Sequence, residues 1–169
     1  MPEQPPHTTI PDRLSRGNFD ISNLDDEIRV DRLCLGLLKT FYCTLSTEGG
    51  RAPETIGRLC HGADYFLREF IVGDRQANLL QVDAGQVRRF AAHWYIIRNL
   101  EPNMTELETM LDGIAAFYRF LAGRGDIAEA QAAEIAEACA ARSYYRQRID
   151  AFWSIKEDGF VAWREEVPL

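Results

Sequence analysis

Thr105-Glu106-Leu107-Glu108-Thr109-Met110-Leu111-Asp112-Gly113-Ile114-Ala115-Ala116-Phe117-Tyr118-Arg119-Phe120-Leu121 is the stretch that decides the fold. Leu107, Met110, Leu111, Ile114, Phe117, Tyr118 and Leu121 recur at steps of three and four, which lays an apolar stripe along one face of an α-helix. Gly123 and Gly125 follow directly and favour a helix stop. At the other end Thr105 and Glu108 have the spacing of a capping box, so the helix is predicted to begin there.

The same periodicity extends outward in both directions. Upstream, Val87, Phe90, Ala91, Trp94 and Ile97 form the inward face of a helix opened by the Asp83–Gln86 capping pattern and closed before Pro102. Before it, Pro53 can occupy a first-turn position of a helix whose face is Ile56, Leu59, Cys60, Ala63, Phe66, Leu67, Phe70 and Ile71, ending near Gly73 and Asp74. The first helix starts near Leu24, with Asn23 as cap and Asp25, Asp26 and Glu27 complementing the dipole. It carries Val30, Leu33, Cys34, Leu37, Leu38, Phe41 and Leu45 inward and stops at Gly49-Gly50. Downstream, Asp126 is expected to cap one long fifth helix running from Ile127 to about Lys156, broken by Asp158-Gly159. The fold class is therefore all-α, a compact bundle of about five helices. Residues 1–23, with Pro2, Pro5, Pro6 and Pro11, read as a flexible arm; 24–157 form the bundle domain; 158–169 form an aromatic tail.

Composition limits the function. At 169 residues the chain can bury a real core. The net charge is −7, whereas a protein that holds phosphates usually shows a basic footprint. The deficit is uneven. Residues 51–125 hold 9 basic against 9 acidic side chains, and both flanks are acidic. No apolar run reaches the roughly 18–20 residues of a membrane span, and no secretory signal opens the chain, so a cytoplasmic location is expected. Cys34, Cys43, Cys60 and Cys139 fall irregularly within helices and are expected to be reduced and buried.

Three groups of residues over 52–127 match a known pattern. They are Ala52-Pro53-Glu54-Thr55 followed by Tyr65-Phe66-Leu67 and Phe70; Leu80-Gln81-Val82-Asp83 with Val87-Arg88-Arg89-Phe90; and Phe117-Tyr118-Arg119-Phe120-Leu121 with Gly125-Asp126-Ile127. The segment resembles the core-binding (SAM-like, N-terminal) domain of tyrosine recombinases and phage integrases, and would form the four-helix centre of the bundle. The resemblance implies a helical module that grips DNA beside a separate catalytic domain. No counterpart of that catalytic domain is expected after residue 127, so the implied role is a non-catalytic, recombination-associated accessory module and not an enzyme.

Two sets of side chains are candidates for that role or its rival. Arg88, Arg89, Arg119, Arg124, Arg68 and Arg75 can contact phosphates of double-stranded DNA, with steep salt dependence. The competing reading is a solvated face whose arginines pair with Glu69, Asp74 or Asp112. Tyr144, Tyr145, Phe152, Trp153 and Trp163 are candidates for a partner-binding surface, including self-association through the C-terminal helix; otherwise the tail folds back over the bundle. Cys60-His61 and His93 lack the convergent spacing of a metal site. No nucleotide loop or nucleophile motif is present, so no cofactor and no catalytic residue is assigned.

Overall fold

The computed structural model describes residues 8–169 and is all-helical, with no strand among the described residues. α1 spans Leu24–Glu48. α2 spans Pro53–Asp64 and runs directly into a π-helical stretch, Tyr65–Asp74. α3 begins at Ala84–Arg89, widens into a second π stretch, Phe90–Trp94, and closes with Tyr95–Arg98. α4 spans Met104–Gly123, α5 Glu129–Ala140, α6 Arg142–Trp153 and α7 Phe160–Glu165.

Most helix ends follow the local chemistry. The Asn23 side chain accepts from the Asp26 amide at 2.9 Å. Gly49 and Gly50 end α1 at φ +73° and +78°, a region costly for any residue with a Cβ. Asp83 and Gln86 exchange reciprocal bonds, with Gln86 N–H donating at 2.9 Å and Asp83 N–H at 3.3 Å. α4 begins earlier than its capping-box pattern suggests. Asn103, extended after Pro102, accepts from the Glu106 amide at 2.9 Å, so Thr105 already lies within the first turn.

The core is built where α2 crosses α4. Gly62 and Gly113 face each other there: a Cβ on Gly113 would lie 2.3 Å from the Leu59 carbonyl oxygen, and one on Gly62 would lie 2.7 Å from Met110 Cα. α1 packs on α2, α5 packs on both α4 and α3, and α6 packs on the π stretch of α3. Aromatic rings fill the centre edge to face, with Phe41–Phe117 at 5.4 Å and Phe66–Phe90 at 5.1 Å. The fully buried Tyr118 satisfies its hydroxyl by donating to Leu79 C=O at 2.9 Å.

Three sequence expectations are corrected. The single fifth helix is two, because Ala141 leaves helical geometry at ψ 44° although no glycine or proline stands there. The break lets α5 follow α4 while α6 turns onto α3, and Tyr145 stabilises it by donating its hydroxyl to Ala138 C=O at 2.6 Å. Asp126 does not cap α5, whose N-cap is Ala128; its carboxylate accepts from Leu14 N–H at 2.9 Å and from Arg124 at 2.6 Å. Residues 8–23 are not a flexible arm. Phe19 is buried, Ile10 lies against Gly36, and Asn78 donates to Arg16 C=O and the Asp20 carboxylate. Residues 1–7 of that arm, with His7, lie outside the described residues.

Candidate functional site

The six candidate arginines do not form one surface. Arg68 is clamped between Asp31 at 2.7 Å and Asp64 at 3.2 Å, joining α2 to α1. Arg75 lies 3.6 Å from Asp74. Arg124 pairs with Asp126 at 2.6 Å and donates to Pro11 C=O at 2.7 Å, tying the N-terminal segment to the end of α4. These three have structural work that a phosphate would have to displace. Arg88 and Arg89 are exposed on α3, and Arg119 is exposed on α4; none of these three forms an ion pair among the described residues. Arg119 and Arg124 line a groove with Arg51 and Glu48 that includes neither Arg88 nor Arg89. Of the acids foreseen as partners, Asp74 pairs with Arg75 and Arg98, and Asp112 with Arg142, whereas Glu69 pairs with none among the described residues.

The C-terminal aromatics divide. Tyr145 is fully buried and Trp163 is 4% exposed, so neither can meet a partner in this conformation; this corrects their assignment to a binding surface. The tail folds back, and Trp163 donates its indole N–H to Arg148 C=O at 3.0 Å. Trp153 is 57% exposed and Tyr144 40%. Trp153 donates to Pro102 C=O at 3.2 Å, which seats it beside the α3–α4 connection, where Leu100 is 97% exposed. From Trp153 the ring contacts continue to Phe152 at 5.6 Å, from Phe152 to Trp163 at 5.3 Å, and from Trp163 to the half-open Phe160 at 6.0 Å. Leu100 stands two residues before Pro102, the acceptor of the Trp153 indole, and it was missed because an isolated loop leucine has no periodicity to betray it.

Two further arrangements had no sequence signal. Arg148, 2% exposed, donates to Ala92 C=O at 3.0 Å, Trp163 C=O at 2.7 Å and Glu166 at 2.9 Å, with its guanidinium 4.1 Å from the Trp163 ring centre. Beside it the buried His93 places Nδ1 2.6 Å from Val167 C=O, while its Nε2 is buried without a partner among the described residues. Together these groups clasp α7 and its tail to α3. The second arrangement is a cleft of about 410 Å³ where the two π stretches meet, lined by Tyr65, Glu69, Gly73, Asp74, Trp94 and Arg98. Ile97, read as inward-facing, is 39% exposed at this end of α3.

Thiol chemistry is restricted. Burial pushes the Cys34 and Cys139 thiols up to about 12, so neither is a nucleophile at neutral pH. Cys60 is half-buried and Cys43 exposed, which corrects the expectation that all four cysteines are buried. Among the described residues no helix is long and apolar enough to cross a membrane.

No family model, no curated protein and no solved structure matches the chain.

Proposed function

We propose that this chain is a non-catalytic helical protein-association module that pairs with a second copy of itself through the surface around Leu100 and Trp153. The observation that carries this reading is that Trp153, 57% exposed, is held by a hydrogen bond to Pro102, two residues along the chain from Leu100 at 97% exposure. A large rigid aromatic held in place on an open surface is the composition typical of interface hot spots. A two-fold pair brings the same patch of each copy together, so apolar surface would meet apolar surface.

Sedimentation velocity across a concentration series tests this. The wild-type chain is expected to show a concentration-dependent dimer, and Leu100→Ser/Trp153→Ser is expected to be monomeric, with about tenfold or greater loss of affinity as usual for a hot-spot residue. A wild type that stays monomeric at concentrations of about 100 μM, well above the micromolar range of a modest association, would remove the self-pairing reading.

A second reading, the DNA-binding accessory module implied by the recombinase resemblance over 52–127, draws support from Arg88 and Arg89 alone. They are adjacent, exposed, and free of ion pairs among the described residues. Titration of a fluorescent duplex across a salt series tests it. If both arginines hold phosphates, Arg88→Ala/Arg89→Ala lowers the slope of log affinity against log salt by about 2. An unchanged slope, or no binding at low salt, would remove DNA from consideration.

A further inference from the structure

We propose that the cleft between the π-helical stretches of α2 and α3 is a binding site for a guanidinium or alkylammonium cation, held shut in the free protein by the chain's own Arg98. The backbone creates the site. In a helix whose hydrogen bonds run from i to i+5, steps of four and five fall on one face. Tyr65, Glu69 and Asp74 take those steps along α2, and Trp94 and Arg98 face them from the last turns of α3. Gly73 adds no side chain to the lining, and a Cβ there would lie 2.9 Å from Arg68 C=O.

The lining has the chemistry of cation recognition. The Tyr65 and Trp94 rings stand 5.9 Å apart at 62°, two walls of an aromatic corner. Aromatic faces attract cations through the negative side of the ring quadrupole, most strongly for tryptophan. Two carboxylates complete the ring of contacts. Glu69 is exposed and forms no ion pair among the described residues, and Asp74 is shared between Arg75 at 3.6 Å and Arg98 at 3.5 Å. A guanidinium already occupies the corner: Arg98 Cζ lies 5.2 Å from the centre of the Trp94 ring.

That internal occupant is weakly held. Its side chain is 57% exposed, its one ion pair among the described residues is long at 3.5 Å, and it stands at the last residue of α3 with only the Asn99–Asn103 connection beyond it. Arg124 and Arg148, by contrast, are fixed by bonds of 2.6–3.0 Å. Arg98 therefore behaves as an exchangeable plug. An incoming cation that displaces it gains the same aromatic faces and, in addition, the unpaired Glu69. The occupant can be a free small cation or an arginine or lysine side chain of a peptide, since both present the same head group. The site uses none of the apolar residues Leu100, Trp153, Phe152 and Phe160, so it stands or falls independently of self-pairing.

The test is titration of arginine amide, and of its ureido isostere citrulline amide, into the full chain, both N-acetylated so that the arginine side chain carries the only charge. Calorimetry and the NMR shift of the Trp94 indole N–H, a buried donor with no acceptor among the described residues, report binding. Arginine amide is expected to bind and citrulline amide not to. Arg98→Ala is expected to tighten arginine amide by about fivefold or more, because removing a competing occupant raises the fraction of open sites. Glu69→Gln, isosteric and at the surface, is expected to weaken it by a similar factor. Equal affinity of the two isosteres, or an Arg98→Ala variant that binds no more tightly than wild type, would overturn the proposal. Comparison with acetyl-Leu-Arg-Leu-amide separates the sources: tighter binding of the peptide assigns the cation to a partner's side chain, and equal binding assigns it to a free small molecule.

Discussion

Gly113→Ala is expected to destabilise the protein by about 4 kcal/mol or more, at the extreme of what overpacking does. The new methyl carbon would be placed 2.3 Å from the Leu59 carbonyl oxygen and 2.8 Å from the Ala63 amide nitrogen. Both are backbone atoms of α2, so no rotamer change relieves the contact. The helices must separate instead. A gap of even 0.5–1 Å forfeits a quarter to a half of each dispersion contact along the crossing. The crossing includes Ala63, Met110, Leu111 and Ile114, all buried. Gly57 provides the internal control. It lies in the same α2 helix, exposed, with nothing within 4 Å of an added Cβ. Gly57→Ala is therefore expected to stabilise by about 0.5–1 kcal/mol through helix propensity alone. Thermal unfolding should separate the two clearly, with Gly113→Ala lower by about 10 °C or more, given about 2–4 °C per kcal/mol in a chain of this size. Equal behaviour of the two variants would mean that α2 and α4 do not cross at Gly62 and Gly113.

That crossing marks the boundary of what periodicity can reveal. The stripes of α1, α2 and α4 were legible because their residues interact with neighbours three and four places away, and their caps at Asn23, Pro53 and Asp83 are local chemistry. Nothing local distinguishes Gly62 and Gly113 from other mid-helix glycines; their role depends on which two helices touch. The π stretches were hidden for a related reason. Their composition is that of any buried helix, and the rings that meet between them, Phe66, Phe70, Phe90 and Trp94, are apart in sequence. The break at Ala141 runs against propensity, since alanine favours continuation. There tertiary packing decides, through Tyr145 beneath the turn and Arg148 one turn further on.

The arginines show the same division at the candidate sites. Their positions on helix faces could be read, but their partners could not, because Asp31 lies 37 residues from Arg68 and Pro11 lies 113 from Arg124. A list of six basic side chains therefore reduced to two adjacent free ones, Arg88 and Arg89, with Arg119 elsewhere. The aromatic tail reduced in the same way, from five candidates to two well-exposed rings, Trp153 and Tyr144, which share no ring contact. The cleft at Tyr65 and Trp94 was out of reach, since it depends on two helices widening opposite each other.

Arg148→Ala is expected to release α7 and the tail from the bundle while α1–α5 stay folded. The guanidinium fills three acceptors at once, and two of them, the carbonyls of Ala92 and Trp163, are backbone groups that a small side chain would leave without a donor. The third, Glu166, is 66% exposed and recovers its hydration, so the cost falls on the carbonyls and the Trp163 ring. About 3 kcal/mol is expected for losing hydrogen bonds of this charged, buried kind. Because α7 is short and its main anchor is this clasp, the loss should appear as local opening before global unfolding. Amide exchange over Phe160–Glu165 would accelerate, and Trp163 emission would shift to the red, with far-UV dichroism nearly unchanged. Arg148→Lys should recover only part of this, since an ammonium cannot present the planar fork. His93 gives the clasp a pH dependence of definite sign. Burial lowers its affinity for a proton below the ordinary value of 6.5; Val167 C=O opposes the shift, and the positive charges of Arg148 and Arg164 add to it. The unfolded chain therefore binds more protons than the folded one as pH falls below about 6.5, and stability falls with it until the folded-state value is reached. The melting temperature of the wild type should be level above pH 7 and decline below 6.5. His93→Phe, which keeps a ring against Trp163, should remove the part of that decline that begins near neutrality and leave the carboxylate-driven loss at lower pH. If His93→Phe follows the wild-type curve throughout, the titrating group lies elsewhere, and the clasp is held by Arg148 alone.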